Sequence, residues 1–164
     1  MIESRADTLG RFIQAYARLS RLPRPSPRAL ALAATLRRVA SLETRLAVVV
    51  AEDPDLTLDA DPDQLDALLI NLVRNAADAA LQTAGGVTVG WNRTNTHLEI
   101  WVRDEGPGLP NTGNLFVPFF TTKAGGSGIG LVLSRQIAEA HGGRLTLENR
   151  RPGPGCEARL RLSL

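Results

Sequence analysis

Apolar side chains at Leu9, Phe12, Ile13, Tyr16 and Leu19 recur at helical spacing with arginines between them, so residues 5–22 are expected to form an amphipathic helix whose sticky face needs a partner. The run PRPSP, from Pro23 to Pro27, ends that helix and makes a semi-rigid linker. Beyond it, ALALAATLRRVASL (29–42) reads as a helix, and LAVVV (46–50) and LTLDA (56–60) as short strands. Asp61 is placed to cap a long helix reaching about Gln82, with Pro62 at its first position and Gln64 completing a capping box. Leu65, Leu68, Leu69, Leu72, Ala76 and Ala79 give it a buried stripe, and Gly85-Gly86 ends it. VTVGWNR (87–93) and HLEIWVRD (97–104) alternate like paired strands across a turn at Thr94 to Thr96. A helix from about Ile129 to Ala140 stops at Gly142-Gly143, and RLTLEN and EARLRLSL, joined by RRPGPG, close the chain as strands. Helices and antiparallel strands are mixed without the βαβ alternation of a doubly wound fold, and no internal repeat is visible. The expectation is an α+β fold, a two-layer sandwich in which a mixed, mostly antiparallel sheet packs against helices.

Composition narrows the function classes. At 164 residues the chain holds one domain with a core and one further element. A net charge of +2, with the arginines dispersed and seven aromatic residues forming no platform, gives nucleic-acid binding little support. The single cysteine, Cys156, has no disulfide partner or zinc set, so it reads as a small strand residue in a reducing compartment. No apolar run nears the roughly 18 residues of a membrane span, and the N-terminus lacks the apolar core of a signal peptide. A cytoplasmic location is expected.

Three elements carry chemistry. On the long helix Asn71, Asn75 and Asp78 share a face beside the apolar stripe, and an amide oxygen there can ligate Mg²⁺, a hard cation that takes other ligands from water and phosphates. Asp104-Glu105-Gly106-Pro107-Gly108 follows a strand end, where a carboxylate can accept a hydrogen bond from an exocyclic amine while the glycines admit a flat ring. These are the needs of an adenine pocket; guanine presents a carbonyl at that edge and is repelled. Residues 114–131, NLFVPFFTTKAGGSGIGL, run through Lys123, the only lysine among 19 basic residues, into Gly126, Gly128 and Gly130 and then a helix whose N-terminal amides favour phosphate. Leu131 stands where a Rossmann fingerprint would need its third glycine, and there is no P-loop motif.

In order and spacing these elements resemble the catalytic and ATP-binding domain of sensor histidine kinases, in the superfamily that includes gyrase, Hsp90 and MutL. Asn71-Leu-Val-Arg-Asn75 is similar to the N box, Asp104-x-Gly106-x-Gly108 to the G1 box, Phe116-x-Pro118-Phe119-Phe120 to the F box and Gly126-x-Gly128-x-Gly130-Leu131 to the G2 box. The resemblance runs from about residue 28 to the end and implies a Bergerat-type ATP-binding fold. It implies Asn75 on Mg²⁺, Asp104 on the adenine amine, and the Gly126 to Gly130 backbone with Ser127 on the phosphates. A lid from about Pro110 to Gly125 is implied too. The ATP-binding set becomes Asn71, Asn75, Asp78, Asp104, Gly106, Gly108, Phe116, Thr122, Lys123, Gly126, Ser127, Gly128, Ile129, Gly130 and Leu131, with Asn71 and Lys123 in the catalytic places. The arginine-rich helix and proline linker look most like kinases of the nitrogen-regulation type.

Hydrolytic members of the superfamily carry a glutamate general base where this chain has Asn71, and a neutral amide cannot take a proton from water. The γ-phosphoryl group is therefore expected to await another nucleophile, in this family a histidine on an upstream dimerising helix. His97, in a hairpin, and His141, at a helix end, lack that setting, so the phosphoacceptor is expected outside this chain. Residues 1–22 then correspond to the end of the dimerisation and phosphotransfer element, 23–27 to a linker and 28–164 to the catalytic domain. A homodimer through 5–22, a phosphoacceptor histidine domain and a response regulator are the implied partners. An anti-sigma-type serine kinase, a nucleotide-dependent interaction module without transfer activity and a true ATPase remain the rivals, the last disfavoured by Asn71.

Overall fold

The period-two patterns of the long strands decide which side chains meet the helices. In the computed structural model, which describes residues 10, 22–51, 54–109, 116 and 130–164, the elements run β1 (Arg28–Ala31), α1 (Leu32–Leu42), β2 (Val48–Val50), β3 (Thr57–Ala60), α2 (Pro62–Leu81), β4 (Val87–Arg93), β5 (His97–Asp104), α3 (Gly130–Ala140), β6 (Arg144–Asn149) and β7 (Cys156–Ser163). A five-stranded sheet has the order β2-β4-β5-β7-β6; only β2 and β4 run parallel, and β1 and β3 form a separate two-stranded ribbon. β7 buries Cys156, Ala158, Leu160 and Leu162 and turns Glu157, Arg159 and Arg161 outward. The register sets Leu162, Leu160 and Ala158 opposite Leu98, Ile100 and Val102 of β5. Two residues further along that face comes Asp104, so strand alternation delivers a carboxylate to the helical side of the sheet. The result is the expected two-layer α+β sandwich.

α2 is the central helix. Its predicted stripe is buried at Leu65, Leu68, Leu69, Leu72 and Ala76, and Val73, Ala77 and Ala80 are buried as well. The apolar surface is wider than one stripe because α1 and α3 pack on α2 in addition to the sheet. Ala79, expected in the core, is only half-buried; its backbone lies against Gly106 at the lip of the domain.

Two local expectations need correction. Residues 29–31, read as helix, are strand: β1 pairs with β3 from Arg28↔Ala60 to Ala31↔Thr57, and the helix starts at Leu32. Ala31 has no side chain able to cap, so the first amides of α1 are met from elsewhere, Leu32 N–H donating to the Leu56 carbonyl (3.0 Å) and Ala33 N–H to Asp55 Oδ1 (3.0 Å). Pairing and this borrowed cap override the helical propensity of the alanines. Nor does Gln64 close a capping box. Asp61 does cap, its Oδ1 accepting from the amides of Asp63 (3.0 Å) and Gln64 (3.1 Å), but Gln64 Nε2 donates to the Pro23 carbonyl (2.9 Å). Asp61 N–H is taken by His141 Nε2 (3.1 Å) instead.

The expected helix over 5–22 falls, apart from Gly10 and Leu22, outside the described residues, as does the expected lid apart from Phe116. The linker is described. Ser26 N–H donates to Asp61 Oδ2 (2.9 Å), and with the Gln64 bond to Pro23 this lays the proline segment against the start of α2.

Candidate functional site

Asp104 ends β5 and is 5% exposed. Its Oδ1 accepts from Gly106 N–H (2.9 Å) and Cys156 N–H (3.3 Å), and among the described residues Oδ2 takes no hydrogen bond. Burial holds the carboxyl above the usual carboxylate range, against the opposing pull of those two amides and the Arg150 guanidinium. A buried carboxylate with one oxygen saturated and the other uncommitted can accept a donor from a ligand and is poorly solvated without one.

The glycines around it are also required by the protein's own packing. A Cβ at Gly106 would stand 2.7 Å from the Ala79 backbone carbonyl carbon, so this glycine lets the turn press against α2. Gly108 has φ +82°, and a Cβ there would stand 2.8 Å from Asn149 Oδ1. Both are needed for the protein's own packing before any ring is admitted.

On α2, Asn71 is half-buried and points at the first turns of α3. Its Nδ2 donates to Ser134 Oγ (3.0 Å), and its Oδ1 lies where a side chain on Gly130 would have to go. Ser134 is 1% exposed, so this amide–hydroxyl bond is a buried tie between the two helices. Leu131 packs against the core beside it. Asn75 follows one turn later, half-buried. Asp78 carries an ion pair that sequence reading missed: Arg45, in the α1 to β2 connection, reaches its Oδ1 (2.6 Å) while also holding Glu43 (2.9 Å). The Arg45 guanidinium keeps Glu43 below the usual carboxylate range.

Thr122, Lys123, Gly126, Ser127, Gly128 and Ile129 lie outside the described residues. Phe116 is described. Its ring stands 5.0 Å from the Arg135 guanidinium and lines a cleft of about 560 Å³ between α3 and the edge strand β6, whose walls include none of Asn71, Asn75 and Asp104.

Both histidines are built into the scaffold, as their sequence context indicated. His97 Nδ1 sits 3.0 Å from Thr94 Oγ1 and accepts from Arg161 Nη2 (3.1 Å). His141 accepts from Asp61 N–H at Nε2, and its Nδ1 meets the Ile137 carbonyl (2.8 Å), which together specify the Nδ1-protonated tautomer. His141 is thus tied to the last turn of α3. Cys156 is buried in β7, and burial followed by the nearby Asp104 charge pushes its thiol up to about 12, an inert strand residue.

Residues 60–164 match the family described as histidine kinase-, DNA gyrase B- and HSP90-like ATPase. The chain belongs to that family. Within it the chain is a catalytic domain of the sensor histidine kinase type. It is 39% identical over 109 residues to the sensor protein kinase PilS of Pseudomonas aeruginosa, covering 62% of this chain and 20% of that protein. It is 34% identical over 109 residues to the sensory histidine kinase/phosphatase NtrB of Klebsiella oxytoca, covering 57% of this chain and 30% of that one. The chain thus spans less than a third of the length of either relative. Among solved structures, full-length ShkA in complex with AMPPNP superposes with a TM-score of 0.79 at 25% identity, covering 92% of this chain and 34% of that one.

Proposed function

We propose that the chain is the ATP-binding catalytic module of a sensor histidine kinase, transferring the γ-phosphoryl group of Mg-ATP to a histidine on a separate phosphoacceptor element. The observation that carries this reading is Asp104: a buried carboxylate with one oxygen tied to backbone amides and the other left for an exocyclic amine. The AMPPNP held by ShkA supports nucleotide binding by a domain of this fold. Residues 28–164 are then the catalytic domain, 23–27 the linker and 1–22 the end of a dimerisation and phosphotransfer helix. A response regulator follows as downstream partner, and the module works in the cytoplasm, although its parent protein can be membrane-anchored. No described helix is long and apolar enough to cross a membrane.

In this scheme Asp104 selects adenine and the turn through Gly106 and Gly108 seats the ring. Asn75 offers an amide oxygen to the metal. Mg²⁺ is a hard cation that completes its shell from phosphates and water, so one amide oxygen from the protein fits its needs. When bound, Mg²⁺ neutralises charge on the phosphate oxygens. Asn71, spent on Ser134, offers no base to water, so the bond to the β-phosphate oxygen breaks when an imidazole nitrogen attacks and ADP departs with the electron pair. Gly126 to Gly130, Ser127, Thr122 and Lys123 are assigned to the phosphates from their motif positions. Asp78, ion-paired with Arg45, belongs to the rim of this face.

The test is incubation with γ-labelled ATP, with and without a separate histidine phosphoacceptor domain, followed by acid. Label should appear on the added domain only and be lost in acid. Acid-stable label would favour the serine kinase, and ATP-dependent partner binding without labelled product the interaction module.

A pH dependence follows from the Asp104 geometry. With Oδ1 facing two N–H donors, an added proton resides on Oδ2, the oxygen offered to the adenine amine, and converts it into a donor. Because burial raises the carboxyl, this happens at a higher pH than for an ordinary carboxylate of about 3.9. ATP affinity is expected to fall on acidification before exposed carboxylates titrate, and Asp104→Asn should flatten that limb in a titration series. The stability sign is opposite: a raised folded value gives a contribution that is full below the unfolded value and lost as pH rises through the folded one.

A further inference from the structure

We propose that Asn149 and Arg150, at the start of the β6 to β7 hairpin, are positioning residues for base recognition, holding the Asp104 to Leu109 turn in register from outside. The inference rests on the reading of Asp104 as the adenine-selecting group.

Neither residue belongs to a motif singled out by the sequence, yet both reach across to the same six-residue turn. Leu109 N–H donates to Asn149 Oδ1 (2.6 Å) and Asn149 Nδ2 donates to the Leu109 carbonyl (3.1 Å), closing a two-bond ring of the kind a paired strand would make. Gly108 passes beneath that amide at φ +82°. Arg150 Nη1 donates to the Asp104 carbonyl (3.2 Å), while Arg150 N–H donates to the Gly155 carbonyl (2.9 Å) and closes the hairpin. The next residue after Gly155 supplies the Cys156 amide to Asp104 Oδ1 (3.3 Å). The hairpin therefore grips the turn at both ends, by the backbone and side chain of Asp104 and by the backbone of Leu109.

Asn149 is exposed. Water could satisfy both Asn149 and Leu109, so their two bonds add little to global stability; what they specify is the position of Leu109. Arg150 acts at the other end, fixing the peptide from which the Asp104 side chain projects. A turn released from these ties still leaves a carboxylate in the pocket, but no longer one Oδ2 atom at a defined place. Loss should therefore fall on discrimination between bases more than on phosphate binding.

The experiment compares Asn149→Ala, Asn149→Asp, Arg150→Ala and Asp104→Asn with the unmodified chain. Dissociation constants for ATP and GTP are measured by titration, with the KM for ATP and the saturating rate of transfer to a phosphoacceptor domain. Asn149→Ala and Arg150→Ala should weaken ATP by about tenfold and GTP by less than about twofold, raising KM with the saturating rate retained. Asn149→Asp keeps the acceptor for Leu109 N–H and loses the donor to its carbonyl, so it should fall between Asn149→Ala and the unmodified chain. An unchanged ratio of ATP to GTP affinity in both alanine variants, or equal loss of both nucleotides, overturns the proposal while Asp104→Asn still lowers ATP affinity. If Asp104→Asn leaves ATP affinity intact, the base-recognition reading falls first and this one with it.

Discussion

Replacing Asp104 by asparagine is expected to weaken ATP binding by one to two orders of magnitude and to improve GTP binding. The backbone amides of Gly106 and Cys156 require an acceptor at Oδ1, so the asparagine carbonyl takes that place and its NH₂ group occupies the Oδ2 position. A donor then faces the adenine amine, and a charge-assisted bond worth about 1.5–3 kcal/mol is replaced by a repulsion. The same NH₂ suits the carbonyl of guanine. Apo stability should change little or rise, because the substitution removes a charge that burial disfavours. Direct titration with both nucleotides, beside a denaturation curve, reads all three effects. Unchanged ATP affinity would remove Asp104 from the pocket.

The second large effect is expected at Gly155. Its φ is +99°, and a methyl group there would overlap the Asp104 carbonyl oxygen and stand 3.1 Å from Asp104 Oδ1. Gly153, two residues earlier in the same hairpin, has φ +107° and nothing within 4 Å of the corresponding position. The pair separates backbone strain from steric overlap. Gly153→Ala should cost about 1 kcal/mol from the left-handed backbone alone. Gly155→Ala adds overlap with a buried backbone and should cost about 3 kcal/mol or more, with ATP affinity falling too because Asp104 must move. Urea denaturation of the two variants gives the comparison. Equal destabilisation of both would mean that the hairpin does not bear on Asp104.

Much of the fold was legible because its elements are locally consistent. VTVGWNR and HLEIWVRD alternate and became β4 and β5; RLTLEN became β6; Asp61 and Pro62 mark the start of α2. The failures have a common origin in contacts distant in sequence. Residues 29–31 became strand because β3 was there to pair with them, and Gln64 left its capping role because the linker carbonyl of Pro23 came within reach. The family boxes were readable for the same reason as the strands, since each box is a short run whose spacing carries the chemistry. What supports the boxes was not. Ser134, Asn149, Arg150 and Arg45 look ordinary in sequence, and only the folded chain brings them to Asn71, Leu109, Asp104 and Asp78.

By itself, then, the sequence determined the class of fold, the family and the identity of the groups that face the nucleotide in the proposed reading, because periodicity and motif spacing are properties of short segments. Tertiary structure alone decided how those groups are presented. It turned Asn71 toward Ser134, gave Gly106 and Gly108 close contacts with Ala79 and Asn149, and put Phe116 against Arg135. It also left Asp104 with one oxygen held, through amides two and 52 residues away along the chain, and the other uncommitted among the described residues. The physical reason is that a hydrogen bond is satisfied by whichever partner the packed chain brings near, and strand and helix patterns specify the faces that meet but not the individual atoms that pair across them.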